Sequence, residues 1–239
     1  MKPRPSSIEA LLALDQASLQ GGGPRRGTLS EASPARRALV RFVLLALILV
    51  LSWFFVGEPM LRPLAETARR HTAETRVQVH RDAILVAAKE ANLEPELVAA
   101  IVFAESSGRV DARSSANALG LMQLRLATAV EQAGKLGLAP PSETDLLTNP
   151  ALNIRLGAHY FRWVLDHEEH DVERSLVAYN AGRTRLREWV TEAGGYAAWR
   201  AERQVSGKSS TLAYASKVLA QRDRFLSSGL FRALAPVDE

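Results

Sequence analysis

The sequence predicts an all-α protein, a globular helical domain standing behind a single N-terminal transmembrane helix. Three observations predict it. From Arg76 onward apolar residues recur at helical spacing, and no stretch alternates convincingly as a strand would. The punctuation is that of helices, with Pro95 and Pro150 where first turns start and Gly182 just past a helix end. Phe42 to Val56, FVLLALILVLSWFFV, is apolar with Ser52 as its one polar interruption. At 239 residues and 47% hydrophobic content, the chain has room for one sizeable domain plus extensions.

In chain order, residues 1–37 read as a disordered basic arm, because Gly21-Gly22-Gly23-Pro24 and Pro34 break any long element. Ser6 and Glu9 have the spacing of a capping box, so one short helix could form within it. Residues 38–57 read as a transmembrane signal anchor, since about 20 apolar residues cross a hydrocarbon core of ~30 Å. Trp53 and Phe54 sit towards its far end, where an aromatic belt is expected. Arg36, Arg37 and Arg41 flank the near end, which by the positive-inside rule puts the N-terminus in the cytoplasm and the bulk of the chain beyond the inner membrane. A cleaved signal peptide is the competing reading. The long preceding segment and the lack of an early small-x-small site in GEPMLRPLAE favour an uncleaved anchor.

Residues 58–76 read as a charged connector with Pro59 and Pro63, residues 77–228 as the main domain and residues 229–239 as a tail. Within the domain, helices are expected from Val77 to about Asn92, from Pro95 through Ala104, from Gly120 to Ala133, from Pro150 through Val164, from Asp171 to Ala181, and from Leu212 to Phe225. Gly137 to Thr148 reads as a Pro-containing loop, Gly194 to Lys208 as a glycine-containing charged stretch, and Arg183 to Glu188 as a solvated face.

The net charge of +4 lies wholly in residues 1–41, and the remainder balances at 23 basic against 23 acidic side chains. The domain therefore lacks the basic bias of a nucleic-acid binder. The chain has no cysteine, which excludes disulfides, thiolate chemistry and cysteine-based zinc sites.

The chemistry concentrates at Glu105. Leu97 to Ala104 is apolar nearly all round, which predicts a buried central helix, and Glu105 emerges from its end into a Ser, Gly and Asn segment. Partial desolvation disfavours a carboxylate's charged form, so a protonated acid persists near neutral pH and can protonate a leaving oxygen. Most glycosidases pair such an acid with a second carboxylate. Asp111, six residues on in a polar loop, has no feature marking it as that partner.

Glu105-Ser106, Ser114, Gly120-Leu121-Met122-Gln123, Asn153 to Tyr160 (NIRLGAHY) and Ala178 to Gly182 (AYNAG) together resemble the successive motifs of the lytic transglycosylases related to soluble lytic transglycosylase and goose-type lysozyme, over about residues 80–225. The resemblance implies a lysozyme-like fold and peptidoglycan glycan strands as substrate. The implied reaction cleaves the β-1,4 bond between N-acetylmuramic acid and N-acetylglucosamine and leaves 1,6-anhydro-muramyl ends, with the substrate's own N-acetyl group in place of a second carboxylate. No cofactor and no metal are implied.

Residue by residue, the resemblance gives Glu105 the acid/base role. Ser106 and Ser114 match groove hydroxyls, Gln123 a groove amide, and Met122 packs beside it. Tyr179 and Asn180 match the pair facing the reacting sugar. Gly120 and Gly182 read as keeping side chains out of the groove, Gly157 and Asn153 as helix packing. The chain departs from the family after Gln123, where Leu124-Arg125-Leu126 replaces an apolar residue, Met and Pro. It departs again at Ser210 to Ala215, which keeps Thr211 and Tyr214 of the family's Glu-Thr-Arg-x-Tyr-Val but not its Glu and Arg. Tyr214 still reads as a groove residue.

His167 and His170 have a spacing that would suit a metal on one helix turn, but they fall in a charged inter-helix segment and read as solvated. Two other functions fit the same residues: a goose-type lysozyme-like hydrolase, which would need a positioned water, and a non-catalytic peptidoglycan-binding scaffold whose arm docks protein partners of a cell-envelope assembly.

Overall fold

The computed structural model describes residues 34–207 and 209–231. The expected arm helix around Ser6 and Glu9 lies outside the described residues, as does most of the expected tail. The chain divides into two compact units, Met1–Arg62 and Pro63–Glu239.

In the first unit, helix α1 (Pro34–Ser52) is followed by a π-helical turn, Trp53–Gly57. Apolar side chains are exposed along this segment, Phe42 at 70% and Leu49 at 69%. Among the described residues no helix is both long and apolar enough to cross a membrane. The expected span over residues 38–57 is thus divided. Its α-helical part ends at Ser52 and begins among Arg36, Arg37 and Arg41, while its last apolar residues lie in the π turn.

The expected connector is instead a helix, α2 (Glu58–Val79), with Pro63 inside it. Its end belongs to the core of the second unit, because Ala73 and Val77 are buried. The expected helix from Val77 is interrupted at His80, and α3 (Arg81–Ala91) closes on Asn92 in the left-handed conformation.

Helix α4 (Pro95–Ser106) is the centre. Pro95 occupies its first turn, every residue from Leu97 to Phe103 is buried, and Ser107 ends it with φ 55. A helix without a polar stripe must be covered on all sides. The last helix, α11 (Ser210–Ser228), packs along it, and α3 packs against α4 and also against α7 (Pro150–His167). Helix α8 (Val172–Ala181) lies against both α7 and α11. The caps follow the residue types. Asn149 and Ser209 accept from the backbone N–H of Leu152 and Leu212, and Asp171 from that of Arg174.

The structure corrects three further expectations. Gly120 to Ala133 is not one helix: a two-residue antiparallel pair, β1 (Ala118–Leu119) and β2 (Leu124–Arg125), precedes α5 (Leu126–Lys135). The Pro-containing loop holds α6 (Glu143–Thr148), closed by a capping box between Ser142 and Asp145. Most of the glycine-containing stretch is α10 (Tyr196–Ser206), while the charge-mixed stretch from Arg183 is carried on α9 (Arg183–Glu192), with Thr184, Arg185, Arg187 and Glu188 exposed. Short elements buried on one side by Leu146, Leu186 or Trp199 carry too few apolar positions to register as periodic.

The hairpin turn Gly120 to Gln123 is clamped by fully buried Asn153. Its Oδ1 accepts from Met122 N–H at 2.9 Å, and its Nδ2 donates to the carbonyls of Leu119 at 3.0 Å and Leu146 at 3.1 Å. Gly120, at φ +73, has no room for a Cβ, which would collide with Asn153 Nδ2 and the Leu146 carbonyl. Its reason is therefore packing and backbone conformation, not clearance of a groove. Gly157 lies against Met122, whose Sδ would meet any Cβ placed there. Gly157→Ala should cost about 1–3 kcal/mol in urea unfolding. In the double variant with Met122→Ala the loss should be smaller than the two single losses added; strict additivity would refute this contact as the cause.

Candidate functional site

Helix α4 carries Glu105 to the wall of a groove of about 790 Å³ in the second unit. The groove is walled by the hairpin (Ser114, Gln123, Arg125), by α7 (Tyr160, Trp163) and by the α8–α9 junction from Tyr179 to Arg185. Glu105 is half-buried, and burial pushes its carboxyl up to about 7, against the opposing pull of the Tyr214 hydrogen bond and the Lys217 charge. The Tyr214 hydroxyl, from α11, donates to Glu105 Oε1 at 2.7 Å. Lys217, one turn further along α11, holds its ammonium 5.8 Å from the Phe103 ring on the Glu105 helix. The carboxyl therefore rests near neutrality in either protonation state: desolvation favours the acid, and one hydroxyl and one ammonium favour the carboxylate.

Tyr179 stands on the other side. Its hydroxyl donates to the Met122 carbonyl at 2.8 Å, and its ring packs on Tyr160 at 5.3 Å and Phe161 at 5.8 Å. Burial, then the Glu105 charge, holds its phenol well above the usual range, so it stays a neutral donor. Gln123 sits at φ 48 and spends its side-chain N–H groups on the carbonyls of Ala112 and Gly120. Ser114 Oγ accepts from Ala118 N–H, and Asn180 is exposed on the groove. The structure thus brings Glu105, Ser114, Gln123, Tyr179 and Asn180 to one surface, with Tyr214 bonded to Glu105.

Two expected groove residues face inward instead. Ser106 is buried, donating to the Val102 carbonyl and accepting from Gly108 N–H, so it closes the helix end. Met122 is fully buried beneath the turn, against Gly157. For Ser106 this follows from side-chain direction, since the residue after Glu105 on a helix points away from the face that Glu105 occupies, whereas Met122 is drawn inward by its packing on Gly157 of α7. Gly182, at φ +87, does line the groove, and a Cβ there would meet nothing within 4 Å.

Sequence reasoning missed Tyr160 and Trp163 as groove residues. They lie one turn apart on α7, with rings stacked at 6.0 Å, and their period matches that of core residues. It also missed Lys217, for which the spacing Tyr214 to Lys217 on one helix face was the available signal. His167 packs its ring 4.4 Å from Trp163, and Glu168 is buried between Arg174 and Arg183. Among the described residues no cluster of His, Asp or Glu is arranged to hold a metal.

The raised carboxyl makes stability depend on pH. Between 4.5 and about 7 the folded chain holds a proton at Glu105 that the unfolded chain has lost, so stability falls as pH rises through that window. Glu105→Gln should be more stable than wild type by about 1–3 kcal/mol at pH 8 and indistinguishable at pH 4. A difference that stays constant across thermal melts at both pH values would contradict the desolvated carboxyl.

The family model described as the transglycosylase SLT domain matches residues 82–201, half of the chain. Among solved structures, an inactive mutant of lytic transglycosylase Slt from Pseudomonas aeruginosa is 29% identical with a TM-score of 0.56, over 64% of this chain and 25% of that one. The 70 kDa soluble lytic transglycosylase SLT70 of Escherichia coli is 25% identical with a TM-score of 0.53, over 64% of this chain and 25% of that one. A complex of the 70 kDa soluble lytic transglycosylase with bulgecin A is 26% identical with a TM-score of 0.55, over 62% of this chain and 24% of that one. The chain thus spans about a quarter of the length of these relatives. With Glu105, the hairpin turn and Tyr179 all inside the matched residues, the chain belongs to the transglycosylase SLT domain family.

Proposed function

We propose that the chain is a membrane-anchored peptidoglycan lytic transglycosylase. The observation that carries this reading is the single desolvated carboxyl of Glu105, raised to about 7 and hydrogen-bonded by Tyr214 in an open groove. Protonated Glu105 gives its proton to the glycosidic oxygen as the bond to C1 of N-acetylmuramic acid breaks. The substrate's N-acetyl oxygen stabilises the developing oxocarbenium centre. The Glu105 carboxylate, now favoured by the Tyr214 hydroxyl and the Lys217 charge, takes the C6 hydroxyl proton. O6 then closes on C1, forming the 1,6-anhydro ring and restoring the acid. A group poised near neutral pH suits both halves of this cycle.

Substrate assistance is favoured over a second carboxylate by what surrounds Glu105. Asp111 does not line the groove. Glu131, which does, is ion-paired to Lys135 at 2.7 Å, and Glu188 is exposed on α9. Glu131 and Glu188 nevertheless keep a water-using hydrolase as the second reading, whose products would be heavier by one water.

For location we propose the inner membrane, with residues 38–57 as the anchor, the N-terminus cytoplasmic and the catalytic domain periplasmic. The supports are the exposed apolar surface of α1 and the arginines at its start.

Glu105→Gln should lower the rate of anhydro-muropeptide release from purified sacculi by at least about 10²–10⁴-fold, the usual worth of a general acid. Undiminished release would remove Glu105 from the role, and reducing-end products from wild type would select the hydrolase. Tyr214→Phe should keep activity but move the alkaline limb of the pH–rate profile upward, since the carboxylate loses a donor. An unmoved limb would leave Tyr214 with packing alone. Deletion of residues 34–57 should release the protein from the membrane fraction; continued membrane association would count against the anchor.

A further inference from the structure

Helix α2 has two parts within the second unit. Ala65 to Thr72 are exposed, while Ala73 and Val77 are buried in the core. The docked end makes two polar contacts, one to each of the helices that meet at the Glu105 carboxyl. Arg76 Nε donates to the Ser107 carbonyl at 2.8 Å, at the C-terminal end of α4 and two residues past Glu105. From α11, Gln221 Nε2 donates to Glu74 Oε1 at 2.8 Å. Gln221 is 3% exposed and lies at helical spacing from Tyr214 through Val218, on the face of α11 that looks inward.

The approach of α2 to the end of α4 is close. Gly108, buried and at φ +74, lies so tightly against α2 that a Cβ would stand 2.8 Å from both Arg76 Cβ and the Val77 nitrogen. The Gly108 N–H is held by Ser106 Oγ at 3.1 Å, and the His80 ring is hydrogen-bonded to the Gly108 backbone. The last carbonyls of a helix have no partner within it and carry its negative pole, so a guanidinium there is favoured both as donor and as cation. Neither Glu74 nor Arg76 lines the groove. Both lie ahead of the transglycosylase SLT domain, residues 82–201.

We propose that the end of α2, Ala73 to His80, is a positioning strap of the active site, tying the end of α4 to α11 so that Glu105 stays seated against Tyr214, with Arg76 and Glu74 as positioning residues for the proton transfers. The hydrogen bond between Tyr214 and Glu105 joins the same two helices, so its geometry depends on how they sit. This rests on the lytic transglycosylase reading and deepens it: two side chains that meet neither substrate nor acid set the rate at which the acid works.

The test measures kcat, KM and the pH dependence of kcat for the full chain on soluble glycan strands, with a thermal melt of each variant to fix an assay temperature at which it is folded. Arg76→Ala and Glu74→Ala should each lower kcat about tenfold or more with KM unchanged, because a small misplacement of a reacting group is costly while the groove walls are untouched. The alkaline limb of kcat should move to lower pH in both. Loosening α4 from α11 exposes Glu105, and burial outweighs the opposing Tyr214 hydrogen bond and Lys217 charge from α11; Tyr179 faces the carboxyl from α8. Arg76→Lys keeps a cationic donor and Glu74→Gln keeps an acceptor for Gln221, so both should restore kcat and the limb. Glu74→Ala removes no buried apolar surface and carries the test if Arg76→Ala does not fold. A lower kcat with an unmoved limb would reduce the strap to a contribution to stability and overturn the proposal, and an unchanged kcat would overturn it outright. Undiminished product release by Glu105→Gln would instead bring down the catalytic reading underneath, whereas an inactive Glu105→Gln beside unimpaired Arg76→Ala and Glu74→Ala would bring down the strap alone.

Discussion

Everything at the site depends on covering a helix that has no polar face. Helix α4 buries Leu97 to Phe103 on every side, and only near its last turn does a carboxylate come into reach of solvent. Apolar burial on that scale fixes the helix axis firmly, because each of the larger side chains, Leu97, Val98, Ile101, Val102 and Phe103, contributes on the order of 1.5–3 kcal/mol when withdrawn from water. The axis in turn fixes where Glu105 sits, and the covering helices decide its chemistry. Helix α11 brings both the Tyr214 hydroxyl and the Lys217 ammonium, so one packing contact both desolvates the carboxyl and supplies the groups that later stabilise its charge.

The opposite wall is held by a polar device rather than an apolar one. Asn153 uses its side-chain oxygen and nitrogen on three backbone groups of the hairpin and of α6, in a site from which water is excluded. Leaving any of those groups unpaired would cost about 1–3 kcal/mol. The turn is therefore confined, Gln123 is held in a left-handed conformation, and Tyr179 closes the arrangement by donating to Met122. Glycines at 120 and 157 are what allow the hairpin, α6 and α7 to approach this closely.

Much of the helical frame was legible. The buried central helix, its proline start, the helix opening at Pro150, and the break at Gly182 are written in apolar periodicity and turn chemistry, both local properties. The short elements were not legible. The hairpin around Gly120, α6 and α10 each bury a few residues whose partners lie far away in sequence, so no local period announces them. The connector was misread for a related reason. Pro59 and Pro63 look like breaks, yet Pro59 falls in the first turn, where proline is tolerated, Pro63 is accommodated inside the helix, and Ala73 and Val77 are buried at its far end.

Of the candidate site, the sequence alone determined the residue types in order: one carboxylate after an apolar run, an amide in a glycine turn, a Tyr-Asn pair before a glycine, and a C-terminal tyrosine. It also determined that no thiol chemistry is available. Only the tertiary structure decided which of these share a surface. Glu105, Gln123, Tyr179 and Asn180 meet at the groove, while Ser106 and Met122 turn into the core. It alone showed that Tyr214 bonds to the carboxyl itself and that Arg183 is aimed by a buried glutamate. The physical reason is that side-chain direction and desolvation are set by which helices pack against one another, and those contacts join residues more than a hundred positions apart.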